Sequence, residues 1–205
     1  AFKGYHPRHA PQPYPGTLCT SVNNEVVHGV PTREITLQRG DIIGLDIGMQ
    51  WPAEGGLFTD TAVTVGVGKI TKDARRLMNV TSAALDAGIS AAVIGGRVSD
   101  ISRAVQTVVE AEKFGVIRDL VGHGVGIAVH EDPQVPNYVD PRNEDAVLID
   151  GMVIAIEPMV AAGSWRVKVL PDGWTIVTAD GSPSAHFEHT VLITKEGTEI
   201  ITARP

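Results

Sequence analysis

The sequence predicts an α+β fold in which strands come first, two helices follow, and strands return until the end of the chain. Three observations support this prediction. Short hydrophobic runs of strand type fill about 18–67 and return from 116, a helical period of apolar residues runs through 71–114, and one strand pattern occurs twice. With 205 residues, 43% of them hydrophobic, the chain can bury one sizeable core, so we expect one domain over 1–205 that comprises two like halves.

An irregular lead-in precedes the first strands. Residues 1–17 are rich in Pro, Gly and His, a composition typical of extended chain without regular structure. Short strands are predicted from there to about Val67. Turn sequences at Trp51-Pro52 and Gly55-Gly56 separate them.

The helical period begins after Thr71, a residue type that caps helix N-termini. The predicted apolar stripe of the first helix comprises Ala74, Leu77, Met78, Thr81, Leu85 and Ile89. A second helix is predicted over about 99–114, with Gly115 at its C-terminal end. Its buried stripe comprises Ile101, Val105, Val108 and Val109.

The repeated strand pattern ends each time on an acid. LQRGDIIGLD (37–46) and LIDGMVIAIE (148–157) align without a gap, and downstream of each a second acid opens a further strand. The four acids are Asp46, Asp60, Glu157 and Glu188. A repeat that copies both apolar spacing and polar endings predicts two like halves with four carboxylates at their seam. Clustered anions in a dry seam are costly, so they must bind protons or, the favoured alternative, cations.

A histidine lies between the two acid pairs, in GHGVG (122–126). The glycines around His123 let the backbone come close to a ligand. One imidazole and four carboxylates suit two divalent cations about 3.5–4 Å apart, and this oxygen-rich set favours Mn, Fe, Co or Zn. A lone strand-end acid such as Asp46 is more often a turn or cap residue. The repetition favours the metal ligands.

Composition limits the classes of partner. The formal net charge of −7 argues against a broad electrostatic surface for nucleic acid or an anionic membrane. The apolar runs are far shorter than the roughly 20 residues of a membrane span, so no membrane association is expected. Cys19 is the single cysteine, which excludes an intrachain disulfide and is compatible with a reducing cytoplasm.

The two halves are not equivalent in sequence. If each half consists of two helices followed by strands, the first half lacks its helices, and the missing piece would be roughly 50 residues. An apolar sheet face left open would exceed the few hundred Å² that a soluble monomer exposes. We therefore expect a cover for this face: upstream residues of a longer chain, a second copy in a weakly self-associated dimer, or the Pro-rich lead-in.

The five candidate ligands of this chain are Asp46, Asp60, His123, Glu157 and Glu188. In order and context they resemble the metal ligands of the methionine aminopeptidases. The resemblance extends to His28 in NNEVVHGVP, to HEDPQVPNY from His130, and to DGWT at 172–175. It implies the pita-bread fold shared with prolidase and aminopeptidase P, a pseudo-twofold antiparallel sheet with helices on its outer face. Glu157 follows His130 by only 27 residues, which leaves no room for the helical insertion of type 2 enzymes. The chain therefore resembles type 1.

The resemblance also implies roles. Asp46 would bind one metal ion, Asp60 and Glu188 would bridge two, and His123 and Glu157 would complete the second site. In the implied mechanism, a hydroxide between the ions attacks the carbonyl of the first residue while Glu157 manages its proton. His28 and His130 would then hydrogen-bond the scissile amide and its developing charge. Taken alone, each of these two histidines is equally compatible with a turn imidazole beside a proline.

The same likeness nominates a substrate pocket for a methionine side chain, formed by Tyr14, Cys19, Trp174 and Phe187. Any one of these residues, taken alone, is more typical of plain core. Val129 departs from the aromatic residue that commonly precedes the HEDP-type histidine, and extra residues lengthen the loops at 6–16 and 51–60. His6, His9 and His186 match no ligand position and are interpreted as surface or loop residues. His189 is expected to face away from Glu188 on the same strand.

The predicted function is removal of the N-terminal methionine from nascent proteins and peptides, in the cytoplasm and near the ribosome. An enzyme that cleaves before proline, as aminopeptidase P or prolidase does, is one alternative. A second is a non-catalytic binding module that kept the fold and lost its metals. All five ligand positions carry a carboxylate or an imidazole here, which favours the enzyme.

Overall fold

The structure, a computed structural model, describes residues 2–7 and 10–204. The helices are α1 (Lys72–Ala91) and α2 (Val98–Ala111). The first-half strands are β1 (Cys19–Val22), β2 (Glu25–Val27), β3 (Ile42–Trp51) and β4 (Leu57–Gly66). The later strands are β5 (Gly115–Val116), β6 (Val121–Gly124), β7 (Glu131–Pro136), β8 (Val153–Ile156), β9 (Met159–Ala161), β10 (Val167–Val169), β11 (Ile176–Thr178), β12 (Ser184–His186), β13 (Glu188–Thr194) and β14 (Gly197–Ile200).

The strands form one large antiparallel sheet and two small ones. The eight-stranded sheet has the order β1-β3-β4-β13-β8-β6-β7, and β14 pairs with β13. The three-stranded sheets have the orders β10-β11-β2 and β12-β9-β5. Strands, two helices and strands again follow one another along the chain, so the predicted α+β class is confirmed.

One short pairing joins the two halves of the large sheet. Within the first half, β3 and β4 pair along ten residues each. Between the halves, β4 and β13 pair only through Ala62 with Glu188 and Thr61 with His189. We call this pairing the central seam. Side chains reinforce it, since the Thr190 hydroxyl accepts from Asp60 N at 2.9 Å and donates to Asp60 O at 2.8 Å.

The first helix begins as predicted. The Thr71 hydroxyl accepts a hydrogen bond from Ala74 N at 3.1 Å, which satisfies one of the free N–H groups of the first turn. The buried side of α1 includes Leu77, Met78 and Leu85, and it packs with α2 against one face of the sheet. The predicted location of the helices on the outer face is therefore confirmed.

The second helix ends earlier than predicted. It stops at Ala111, and Lys113, with φ of 60°, takes the left-handed backbone conformation expected at the predicted stop, Gly115. Gly115 belongs to β5, where a Cβ atom would lie 2.5 Å from the carbonyl oxygen of Gly163. The glycine is therefore needed for a close approach between backbones, a use that looks identical to a helix stop in sequence.

The described lead-in residues form no helix or strand, as predicted. The two ends of the lead-in are held together, because Gly4 N donates to Tyr14 O and Tyr14 N donates to Tyr5 O, each at 2.9 Å. Trp174 Nε1 donates to Gln12 O at 3.0 Å, a further contact that holds the lead-in. Phe2 and Tyr14 are buried in a small apolar cluster beside the concave face of the sheet.

The other face of the β3–β4 hairpin is open. Met49 is 56% exposed, Trp51 77% and Leu57 63%, and Ile47 is similarly accessible. The lead-in packs on the opposite side, so among the described residues it does not provide the expected cover. A longer chain or a second copy stays a prediction. Neither helix is long and apolar enough to cross a bilayer, among the residues that the structure describes.

Candidate active site

Five strands or strand ends deliver the predicted ligands to the concave face of the sheet. Asp46 lies in β3, Asp60 in β4 and His123 in β6, whereas Glu157 directly follows β8 and Glu188 opens β13. The strand register brings them together, because Ala62 pairs with both Asp46 and Glu188 across β4. The pseudo-repeat therefore places its acids on the two sides of the central seam.

The ligand atoms form groups of a size that fits metal ions. One oxygen from each of Asp46, Asp60 and Glu188 lies within 4.8 Å of the other two. A second group of the same size comprises His123, Glu157 and Glu188. Glu188 belongs to both groups, which is the placement required of a bridging carboxylate. Asp60 also groups with His123 and His130, so it too faces both halves of the site.

The unpaired atoms of the cluster fit a cation. His123 Nδ1 is 2.9 Å from Gly124 O, so the ring is assigned the tautomer that donates from Nδ1 and leaves a lone pair on Nε2. That Nε2 lies 3.5 Å from Glu157 Oε1, so two acceptors face each other. Asp46 Oδ1 is buried without a hydrogen-bond partner among the described residues. Bound cations would satisfy these three atoms.

Burial strongly perturbs the acids. Removal from water raises the pKa of Asp46, Glu157 and Glu188 well above the usual range, and the neighbouring carboxylates raise it further. Burial also raises the pKa of Asp60, to about 7, although a hydrogen bond from Thr61 N partly opposes this shift. Without cations, the cluster therefore holds protons near neutral pH.

These shifts predict that the metal-free protein loses stability as pH rises from about 6.5 to about 8. In this window the folded protein gives up protons that its unfolded chain lost near pH 4, so the slope of stability is negative. His123 and His130 act in the opposite direction, but only below about pH 6.5, because their pKa values are depressed.

The check is the melting temperature of chelator-treated protein across this pH window, with Mn²⁺-loaded protein as the control. The loaded protein should keep its melting temperature, because cations replace the protons. A metal-free melting temperature that rises with pH would contradict the assignment of a buried acid cluster.

His28 and His130 stand at the rim of the cluster. The His130 ring lies 4.4 Å from the His123 ring and 5.1 Å from the Tyr5 ring, measured between centroids. Part of His130 is accessible, yet partial desolvation, helped by the neighbouring imidazoles, lowers its pKa to about 4. His28 has a φ of 57°, and its ring lies 6.3 Å from that of Trp174. Both histidines line the cavity that contains the acids.

That cavity has a volume of about 400 Å³, enough for a side chain and part of a peptide. Of the predicted pocket residues, Tyr14, Cys19 and Trp174 line it. The Tyr14 hydroxyl donates to Gly29 O at 2.8 Å, which fixes the ring edge-on to Trp174. Burial raises the pKa of the Cys19 thiol, so this group is neutral and behaves as a small apolar wall.

The structure places the fourth predicted pocket residue elsewhere. Phe187 is buried in the main core beneath the helices and does not line the cavity, so its position does not support the predicted contact with substrate. In the extended segment that links β12 to β13, alternate side chains point to opposite faces. His186 and Glu188 point to the cavity, and Phe187 between them points to the helices.

The interpretation of His186 as a surface or loop residue is wrong. It is 4% exposed, ends β12, and lines the cavity. Its spacing of two residues from Glu188 was the available signal. His6 is exposed and bonded to Ala10 O, as expected of a loop residue, whereas His9 lies outside the described residues. His189 contacts the Thr202 hydroxyl at 2.9 Å and does not line the cavity, as predicted.

Sequence and structure comparisons agree on the family. The model of metallopeptidase family M24 matches residues 3–195. The chain is 49% identical over 202 residues to methionine aminopeptidase 1 of Bacillus subtilis, covering 98% of this chain and 77% of that protein. It is 49% identical over 189 residues to a methionine aminopeptidase of Clostridium perfringens, covering 92% of this chain and 74% of that protein.

Solved structures are similar over the same length. A methionine aminopeptidase from Thermotoga maritima superposes with a TM-score of 0.91 at 48% identity, covering all of this chain and 78% of that one. A prolidase from Pyrococcus furiosus gives a TM-score of 0.71 at 24% identity and covers 96% of this chain and 51% of that one, so it shows the shared fold alone. The chain therefore belongs to metallopeptidase family M24 and, within it, to the methionine aminopeptidases.

Proposed function

We propose that this chain is a metal-dependent aminopeptidase that removes the N-terminal methionine from peptides and nascent proteins. The observation that carries the proposal is the convergence of four buried acids and His123 on one apolar-walled cavity. The similar proteins named above support the choice of methionine. Action in the cytoplasm, close to the ribosome, follows from a nascent-chain substrate and is part of the same proposal.

The ligand groups support two divalent ions. Asp46 would hold one ion, His123 and Glu157 the other, and Asp60 and Glu188 would bridge them. Co, Mn, Fe or Zn all suit this set of oxygen and imidazole ligands. When bound, the ions would act as Lewis acids, lowering the pKa of a water molecule and polarising the carbonyl of the scissile bond.

Glu157 is proposed to carry the proton of the reaction. Burial raises its affinity for a proton, and its Oε1 faces the ligand atom of His123 at 3.5 Å. A carboxylate in this place can take a proton from the attacking water and pass it to the leaving amine. Its backbone is fixed, because Glu157 O accepts a hydrogen bond from Asn137 Nδ2 at 3.0 Å.

His28 and His130 are proposed to bind the scissile peptide group. The low pKa of His130 keeps its ring neutral at working pH, so it offers one N–H donor without adding charge. A donor aimed at the developing negative charge stabilises the transition state more than the ground state. The cavity walls formed by Tyr14, Cys19 and Trp174 would receive the methionine side chain.

The proposal predicts that cleavage requires a free amino terminus. Met-Gly-Met should be hydrolysed at its first bond, whereas acetyl-Met-Gly-Met should remain intact, because resonance withdraws the lone pair of an acetylated nitrogen. A peptide with an Xaa-Pro first bond is the matched control for the alternative enzyme class.

Chromatography of the products, with metal-loaded protein, checks the prediction. Faster cleavage of the Xaa-Pro bond would assign the chain to the prolidase-like alternative. Cleavage of the acetylated peptide would contradict amine recognition. Failure to cleave any of the three peptides while ions bind would favour a non-catalytic module.

A further inference from the structure

The side chain of His186 is buried in the cavity with a polar atom that lacks a partner. Its backbone is fixed, since His186 N donates to the Thr64 hydroxyl at 2.9 Å and His186 pairs with Met159 across the small sheet. Its Nε2 atom is fully buried and has no hydrogen-bond partner among the described residues. A buried imidazole nitrogen is costly to leave unpaired, so an interaction in the active protein is expected.

The nearest acid is Glu157. His186 Nε2 lies 3.5 Å from Glu157 Oε2, while His123 Nε2 lies 3.5 Å from Glu157 Oε1. The carboxylate is therefore placed between two imidazoles. His123 turns its lone pair to Oε1, because its other nitrogen faces Gly124 O, so it offers Glu157 no proton. His186 is the imidazole that can offer an N–H.

We propose that His186 is a positioning residue for Glu157, with its Nε2–H donating to Oε2 in the metal-loaded protein. This bond would anchor one oxygen and leave Oε1 directed at the metal and the reacting water. The separation of 3.5 Å closes with a small rotation of the carboxylate, a change common when catalytic hydrogen bonds tighten in the loaded state. The inference rests on the proposed function, because it assigns a partner to the proposed proton carrier.

The competing reading makes His186 a further metal ligand. It belongs to none of the groups of ligand atoms that lie within 4.8 Å of one another among the described residues, whereas His123 belongs to two. The geometry therefore favours a contact with the carboxylate over a contact with the ion. Outer partners of this kind typically change metal affinity or activity by about 10- to 100-fold when removed.

Two amide substitutions separate these readings. The Nε2 atom of glutamine can occupy the place of histidine Nε2, whereas the shorter asparagine reaches only the place of Nδ1. His186→Gln should keep kcat within about threefold of wild type. His186→Asn should lower kcat about tenfold or more, leave KM within about threefold, and weaken Mn²⁺ binding about tenfold. His189→Gln, on the opposite face, is the matched control and should match wild type.

The measurements are kcat and KM with Met-Gly-Met, together with calorimetric titration of metal-depleted protein with Mn²⁺. Melting temperatures of the four proteins verify folding. Equal loss in the Gln and Asn variants, or the loss of one bound ion per chain in both, would overturn the proposal in favour of a ligand role. Wild-type behaviour of His186→Asn would overturn it as well. If wild type cleaves no Met peptide, the proposed function fails, yet the Gln–Asn difference in Mn²⁺ affinity still decides the role of His186.

Discussion

Asp60→Asn is expected to lower turnover by about 10³-fold or more and to reduce the metal bound per chain. Asp60 lies in both a three-acid group and a group with His123, so its carboxylate, like that of Glu188, would bridge two ions in the proposed site. A neutral amide offers one oxygen and no charge, and it cannot balance two cations. Metal content after dialysis and hydrolysis of Met-Gly-Met give the two readouts.

The control is Asp73→Asn, the same chemical change on the exposed first turn of α1. This variant should match wild type in both measurements. Asp60→Asn should also melt at a higher temperature than wild type when both are metal-free at pH 8, because one of four repelling acids is gone. Full metal occupancy with normal turnover in Asp60→Asn would remove Asp60 from the site.

His130→Ala and His28→Ala are each expected to reduce kcat about 10²-fold while the metal content stays near that of wild type. Both rings line the cavity, yet their proposed contact is with the peptide in the transition state. Steady-state kinetics and metal analysis separate the two effects. His6→Ala, in the exposed loop, is the control for general loss of imidazole.

The backbone of His28 needs a separate control. Its φ of 57° is less favourable for alanine than for histidine, so the melting temperature of His28→Ala must be compared with that of wild type. A loss of metal in either variant would place that histidine among the ligands and contradict the proposed division of roles.

The sequence predicted the acids of the site better than its walls. The sequence was enough to predict the four acids, because the strand repeat marks them and strand alternation alone brings them to one face. They are Asp46, Asp60, Glu157 and Glu188. The locations predicted for Phe187, in the pocket, and for His186, outside it, differ from the observed ones for a related reason. Their faces depend on where the extended segment around Glu188 passes between the cavity and the helices, a tertiary feature that local pattern does not contain.

The elements show the same limit. Thr71 was recognisable as a cap because its hydroxyl acts within its own turn, and α1 begins there. The end of α2 was not predictable in this way. Gly115 is required by the close approach of the Gly163 backbone, which is distant in sequence. The position of the lead-in likewise depends on a distant residue, Trp174, whose indole donates a hydrogen bond to Gln12 O.

The central seam has a consequence for the cooperativity of the molecule. The strands on its two sides carry ligands of the same site, but only two residues of each strand pair across it. Ion binding would therefore add to the links between the two halves, which include the pairing of β2 with β11. In a chelated molecule the backbone amides around Thr61 and His189 would exchange their hydrogens ahead of the flanking strands. The ions would thus increase the cooperativity of unfolding by joining strands that share few backbone hydrogen bonds.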